Sequence, residues 1–149
     1  MKKCKIIIDT NLWISLLIGK RLSELRSLCN NEMIAVYFCA ELKMEFIRIA
    51  SSEKIKKYVT EERIVSTLDL IENSCIEISI TKNSASSFLR DVNDLYLLSL
   101  ADEVHANYIL TGDKDLLVLQ NHRQTKIVTF NEFISIIDSE LLAKSKAVS

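Results

Sequence analysis

Two acids stand directly after strand-like runs. Asp9 follows Ile6-Ile7-Ile8, and Asp113 follows Tyr108-Ile109-Leu110-Thr111 after a single glycine. Short continuous apolar runs of this kind read as strands buried on both faces, the pattern of a parallel sheet. In open parallel α/β sheets ligands bind beyond the carboxyl ends of the strands, so both acids stand where chemistry is done. Each also precedes an apolar stretch that could be helical, and aspartate is a good helix N-cap. Capping and ligand binding therefore both remain open at these positions.

Glu45 and Asp94 stand out for a different reason. Leu42, Phe46 and Ile49 form one apolar stripe on a helical wheel, and Glu45 lies on its edge. Glu41 lies further round and is the weaker candidate. Asp94 shares helical spacing with Leu97, Leu98 and Ala101, whereas Asp102 and Glu103 turn to the polar side. Its alternative reading is an acid in the first turn of a helix, favoured there by the helix dipole and standing beside a capping Asp91.

Burying a carboxylate without a counter-charge is costly, and the core faces offer no obvious lysine or arginine partner for Glu45 or Asp94. A metal ion removes the cost. Oxygen ligands without histidine or thiol suit Mg2+ or Mn2+. Such ions orient a phosphodiester, acidify a bound water and neutralise charge on the attacking and leaving oxygens, which makes hydrolytic phosphodiester cleavage the natural class. Two rival chemistries fit less well. A haloacid-dehalogenase-like phosphotransferase needs a second acid two residues after the first, where this chain has Asn11, and a phosphorylated receiver domain needs an acid and a lysine at other strand ends.

These acids must be positioned by a regular scaffold. Strands are expected at 5–8, 34–38, 75–80, 108–111 and 126–129, with helices at 12–17, 22–29, 41–50, 61–71, 94–105 and 131–139. Strands alternating with helices imply βαβ units, hence an α/β fold: a three-layer parallel sheet of about five strands flanked by helices. Proline is absent and glycine occurs only at 19 and 112, so no flexible linker interrupts the 149 residues. One domain over 1–142 is expected, with a frayed tail over 143–149.

Composition narrows the setting. No apolar run approaches the roughly 20 residues that span a bilayer, and the N-terminal apolar run is too short for a signal peptide, so a cytoplasmic protein without membrane contact is expected. Cys4, Cys29, Cys39 and Cys75 form no Cys-x-x-Cys pair and read as reduced, mostly buried small hydrophobes. A net charge of −1 gives no global attraction to nucleic acid. Local basic groups, Lys54, Lys56, Lys57 and Arg63 or Lys20, Arg21 and Arg26, are either contacts for a polyanion or solvated helix faces.

From about Lys3 to Phe133 the chain resembles the PIN-domain family. The matching pieces are Ile6-Ile7-Ile8-Asp9-Thr10-Asn11, Ala40-Glu41-Leu42-Lys43-Met44-Glu45-Phe46, Arg90-Asp91-Val92-Asn93-Asp94 and Thr111-Gly112-Asp113-Lys114-Asp115-Leu116-Leu117. The last two resemble especially the branch of toxin components of bacterial toxin–antitoxin pairs, the Vap-type ribonucleases. The resemblance implies a Mg2+- or Mn2+-dependent endoribonuclease with Asp9, Glu45, Asp94 and Asp113 as catalytic, metal-holding acids. It implies supporting positions at Asn11, which could orient Asp9, and at Thr111, which could hold a metal-bound water or the scissile phosphate. Asp91 and Asp115 match the branch as direct ligands or as acids behind them. That branch often carries proline between Asp91 and Asp94; here the stretch is Val92-Asn93, which bears on the backbone at Asp91. An RNA substrate, a cognate antitoxin protein and a homodimer are further implied. The alternative is a non-catalytic PIN-like module that binds RNA or protein.

Overall fold

In the computed structural model of the chain, residues 3–80 and 92–148 are described, with side chains described at 3–80 and 94–140. The chain forms β1 (Cys4–Ile8), α1 (Thr10–Ile18), α2 (Leu22–Cys29), β2 (Ile34–Phe38) and α3 (Ala40–Ala50). There follow α4 (Glu53–Lys56), α5 (Glu61–Ser74), β3 (Ile76–Glu77), α6 (Val92–Val104) and β4 (Tyr108–Leu110). It ends in α7 (Lys114–Leu117), β5 (Asn121–His122), β6 (Thr125–Val128) and α8 (Phe130–Val148).

The strands make one sheet in the order β3-β2-β1-β4-β6-β5. Five of them are parallel, as expected, with Ile6, Ile7 and Ile8 of β1 in register with Tyr108, Ile109 and Leu110 of β4. The sixth, β5, was not anticipated. It pairs antiparallel with β6 and is only two residues long, too short to leave a period-2 pattern. Expected strand 75–80 narrows to Ile76–Glu77. Helix α8 runs well past 139, through the stretch read as a frayed tail.

Alternation along β1 explains why the run is apolar throughout. Ile6 and Ile8 face one core with Trp13, Leu17, Leu25, Leu70, Phe130 and Phe133 from α1, α2, α5 and α8. Ile7 faces the other core with Leu97, Leu98 and Ala101 of α6 and Leu116 of α7. Helix α3 serves both, giving Phe46 and Ala50 to the first and Leu42 to the second. Helices thus cover both faces of the sheet, the arrangement a parallel sheet requires.

With glycine so scarce, helix ends use other residues. Lys20 (φ 58°) follows α1 and His105 (φ 55°) follows α6, both in the left-handed region that glycine normally fills. The next residue closes each end: Arg21 N–H reaches the Leu16 carbonyl at 2.8 Å, and Ala106 N–H reaches Ala101 at 3.0 Å.

Candidate active site

Strand order fixes where a site belongs. From β1 the chain winds outward through β2 and β3, then returns to the middle of the sheet and winds the other way through β4 and β6. The reversal lies between β1 and β4, where the connections diverge and leave a crevice at the carboxyl ends. Asp9 sits at that point. It is 4 % exposed and caps α1, its Oδ1 accepting from the Asn11 N–H at 3.2 Å.

The neighbouring strand supplies the second contact. Thr111, fully buried, donates its hydroxyl to Asp9 Oδ2 at 2.7 Å and accepts the Asp113 N–H at 3.0 Å. Asp113 in turn caps α7 through Asp115 N–H at 2.9 Å. The capping reading of both acids is thus met, and it does not conflict with ligand binding, because a cap contact engages one lone pair of a carboxylate that has several. The Thr111 hydroxyl is directed at Asp9, and the Asn11 contact comes from its backbone, with the Asn11 side chain exposed.

Asp94 reaches the same end of the sheet by topology. Helix α6 leads into parallel strand β4, so it starts beside the carboxyl ends and finishes beside the amino ends. At its far end the Val104 carbonyl accepts from Lys5 Nζ at 3.0 Å, and Asn107 bonds the start of β1. Asp94 lies in the first turn, 6 % exposed and one turn ahead of Leu97 and Leu98, where the helix dipole favours an anion. Asp91 lies outside the described residues.

Helix α3 starts at the carboxyl end of β2, and the Thr10 hydroxyl joins it to α1 through the Leu42 carbonyl at 3.4 Å. Glu45 follows one turn later. The expectation that it lacks a basic partner is corrected: Arg48 engages it through two guanidinium nitrogens. Arg48 lies on the solvent side of the same helix, off the core face, with its side chain 71 % exposed, while Glu45 keeps 15 %.

Among the described residues, no three Asp, Glu, His or Cys side chains stand together so as to hold a metal ion. The donor chemistry nevertheless fits one. Mg2+ binds through one or two carboxylates and keeps several waters, and every candidate donor at this end is an oxygen. Cys39, at the carboxyl end of β2, adds no thiolate: burial pushes its thiol up to about 11.

Volume alone would choose a different place. An open groove of about 690 Å³ lies at the amino ends of the strands, lined by Lys3, Lys5, Tyr37, His105, Tyr108 and Lys126 among others. It holds one acid, Glu140, and lies at the opposite end of the sheet from Asp9 and Asp113. The topological switch point and the buried carboxylates locate the candidate site better than the size of a concavity. The two basic sets differ as well: Lys54, Lys56 and Lys57 are exposed, whereas Arg21 is bound to Glu24 at 2.6 Å and stacked over Phe130.

Comparison with known proteins agrees with this geometry. A family model for the PIN domain matches residues 5–115, from the second residue of β1 to the second residue of α7. An uncharacterised protein of Methanocaldococcus jannaschii is 32 % identical over 143 residues, covering 89 % of this chain and 90 % of its own length. No described helix is long and apolar enough to cross a membrane. With matches over most of its length and acids at the strand ends of a mostly parallel sheet, the chain belongs to the PIN-domain family, whose members are commonly nucleases that use divalent metals.

Proposed function

We propose that the protein is a Mg2+- or Mn2+-dependent endoribonuclease, with Asp9, Asp94 and Asp113 holding the ion and Glu45 completing the set directly or through water. The observation that carries this reading is Asp9, buried at the β1/β4 switch point with Thr111 donating to one of its oxygens at 2.7 Å. The Thr111 hydroxyl and the Asn11 N–H each donate to a different Asp9 oxygen, which fixes the carboxylate's orientation at the crevice. The ion would supply an acidified water and charge neutralisation on the phosphate. The protein's part is to fix the carboxylates: Thr111 and the Asn11 N–H hold Asp9, and the α6 dipole favours the ionised form of Asp94.

A toxin role within a toxin–antitoxin pair rests on the likeness of residues 90–94 and 111–117 to that branch. It carries two further proposals: an antitoxin that reaches the acidic end with a basic side chain, and a homodimer. A cytoplasmic location is part of the same proposal. The second reading is a PIN-like module that binds RNA or protein without cutting.

The test is RNA cleavage by purified protein with Mg2+, with Mn2+ and with chelator, alongside Asp9→Asn. Metal-dependent cleavage by the wild type that disappears in Asp9→Asn supports the nuclease. RNA binding without cleavage in either metal establishes the binding module instead.

A further inference from the structure

Cys29 and Cys75 lie 46 residues apart in sequence, yet their sulfurs stand 4.0 Å from each other. Cys29 is the last residue of α2 and is buried; Cys75 caps α5, immediately before β3, and is half-buried. Their neighbours repeat the contact, since the Ser74 hydroxyl donates to Asn30 Oδ1 at 3.1 Å. Two adjacent cross-contacts thus fix the end of α2 against the end of α5. A disulfide needs its sulfurs about 2 Å apart, so closure demands an approach of about 2 Å. Both residues sit at helix ends, where side-chain rotation and small backbone shifts meet less resistance than within a helix. A groove of about 300 Å³ between α2 and α5 is lined by Asn30 and Ser74, the residues next to the two cysteines in the chain.

We infer that Cys29 and Cys75 are a redox modification site, a thiol pair that a peroxide or glutathione disulfide converts into an intramolecular disulfide joining α2 to the α5–β3 junction. With hydrogen peroxide, the more accessible Cys75 sulfur takes one peroxide oxygen as S–OH and the other leaves as water. The Cys29 sulfur then displaces that hydroxyl, the S–S bond forms, and the second water carries off the remaining thiol hydrogen. Sulfur is oxidised and peroxide oxygen is reduced, with two waters as the product. Contact with Cys29, together with burial, pushes the Cys75 thiol well above the ordinary thiol range. Thiolate is therefore scarce at neutral pH, and the reaction is slow there and faster in alkali. Because α2 precedes β2 and Cys75 precedes β3, the pair lies toward the amino ends of the strands, away from Asp9. Its closure is a latch on the fold that leaves the acidic end untouched.

The full-length protein, incubated at pH 8 with hydrogen peroxide and separately with glutathione disulfide, tests this. Free thiols counted after denaturation should fall from four to two, with the product at monomer mass on a non-reducing gel. Peptide mapping should recover the Cys29 and Cys75 peptides joined. Closing a loop of this length should raise Tm by about 10 °C, reversibly with dithiothreitol. Cys29→Ser and Cys75→Ser should each abolish the linked peptide and the Tm rise, while Cys4→Ser keeps both. Oxidation that yields disulfide-linked dimers, sulfinic acid at Cys75, or a linked pair including Cys4 or Cys39 overturns the assignment.

Discussion

The two ends of the sheet are built from the same strands and differ in almost everything else. At the carboxyl ends, Asp9, Thr111 and Asp113 are chained by hydrogen bonds within a small space, and one buried hydroxyl sets the geometry of two acids. At the amino ends, Lys5, Asn107 and Lys126 link β1, β4 and β6 through backbone contacts and the Asn107 side-chain oxygen, lysines surround an open groove, and the thiol pair joins the helices nearby. Parallel strands make this division natural, because all their carboxyl ends point one way and the crevice opens there. Polar groups buried at one end cost stability and, on the proposed reading, serve chemistry; contacts at the other hold the fold together.

If the division is right, substitutions at the carboxyl end should lower activity and those elsewhere should lower stability. The largest effect belongs to Asp9→Asn, which should lower RNA cleavage at least about a thousandfold, about 4 kcal/mol in the barrier, with Tm within a few degrees of wild type. Equal rates in the two proteins would end the comparison. Next, Phe133→Ala removes the fully buried ring that meets Tyr108, at the amino end of β4, edge-on at 5.3 Å. It should cost about 3 kcal/mol by chemical denaturation, with activity per folded molecule unchanged.

Thr111→Val bears on both properties, since it takes a donor from Asp9 and an acceptor from Asp113 N–H. A loss of about 2 kcal/mol in stability and about tenfold in cleavage is expected, largely restored in Thr111→Ser. A stability loss without an activity loss would make Thr111 only a structural link. The smallest change is a gain: Lys20→Gly relieves a left-handed residue and should add about 1 kcal/mol to stability without altering cleavage.

What could be read in the sequence divides along similar lines. Strand 34–38 and helix 22–29 match β2 and α2 residue for residue, because their apolar periods reflect burial and nothing else interferes. The place of Asp9 was legible since a buried strand followed by a polar residue marks a strand end, whereas Thr111 was marked by the family resemblance alone and its bond to Asp9 left no trace in the sequence. Contacts set by three-dimensional proximity left no trace. The Cys29–Cys75 approach spans 46 residues with no spacing rule, and the Glu45–Arg48 pair is formed by a residue on the helix face turned from the core. Strand β3 shrank to two residues because an edge strand has a partner on one side only, and Ile76 remains 42 % exposed.

That narrow edge has a counterpart at the other side of the sheet. Both outer strands, β3 and β5, are two residues long, and His122 of β5 is fixed to Asp102 of α6 at 2.9 Å. A molecule with a net charge of −1 has little electrostatic repulsion to keep its copies apart. Short, anchored margins present few free backbone groups for a second chain to pair with, so the sheet's own outline guards a nearly neutral protein against aggregation.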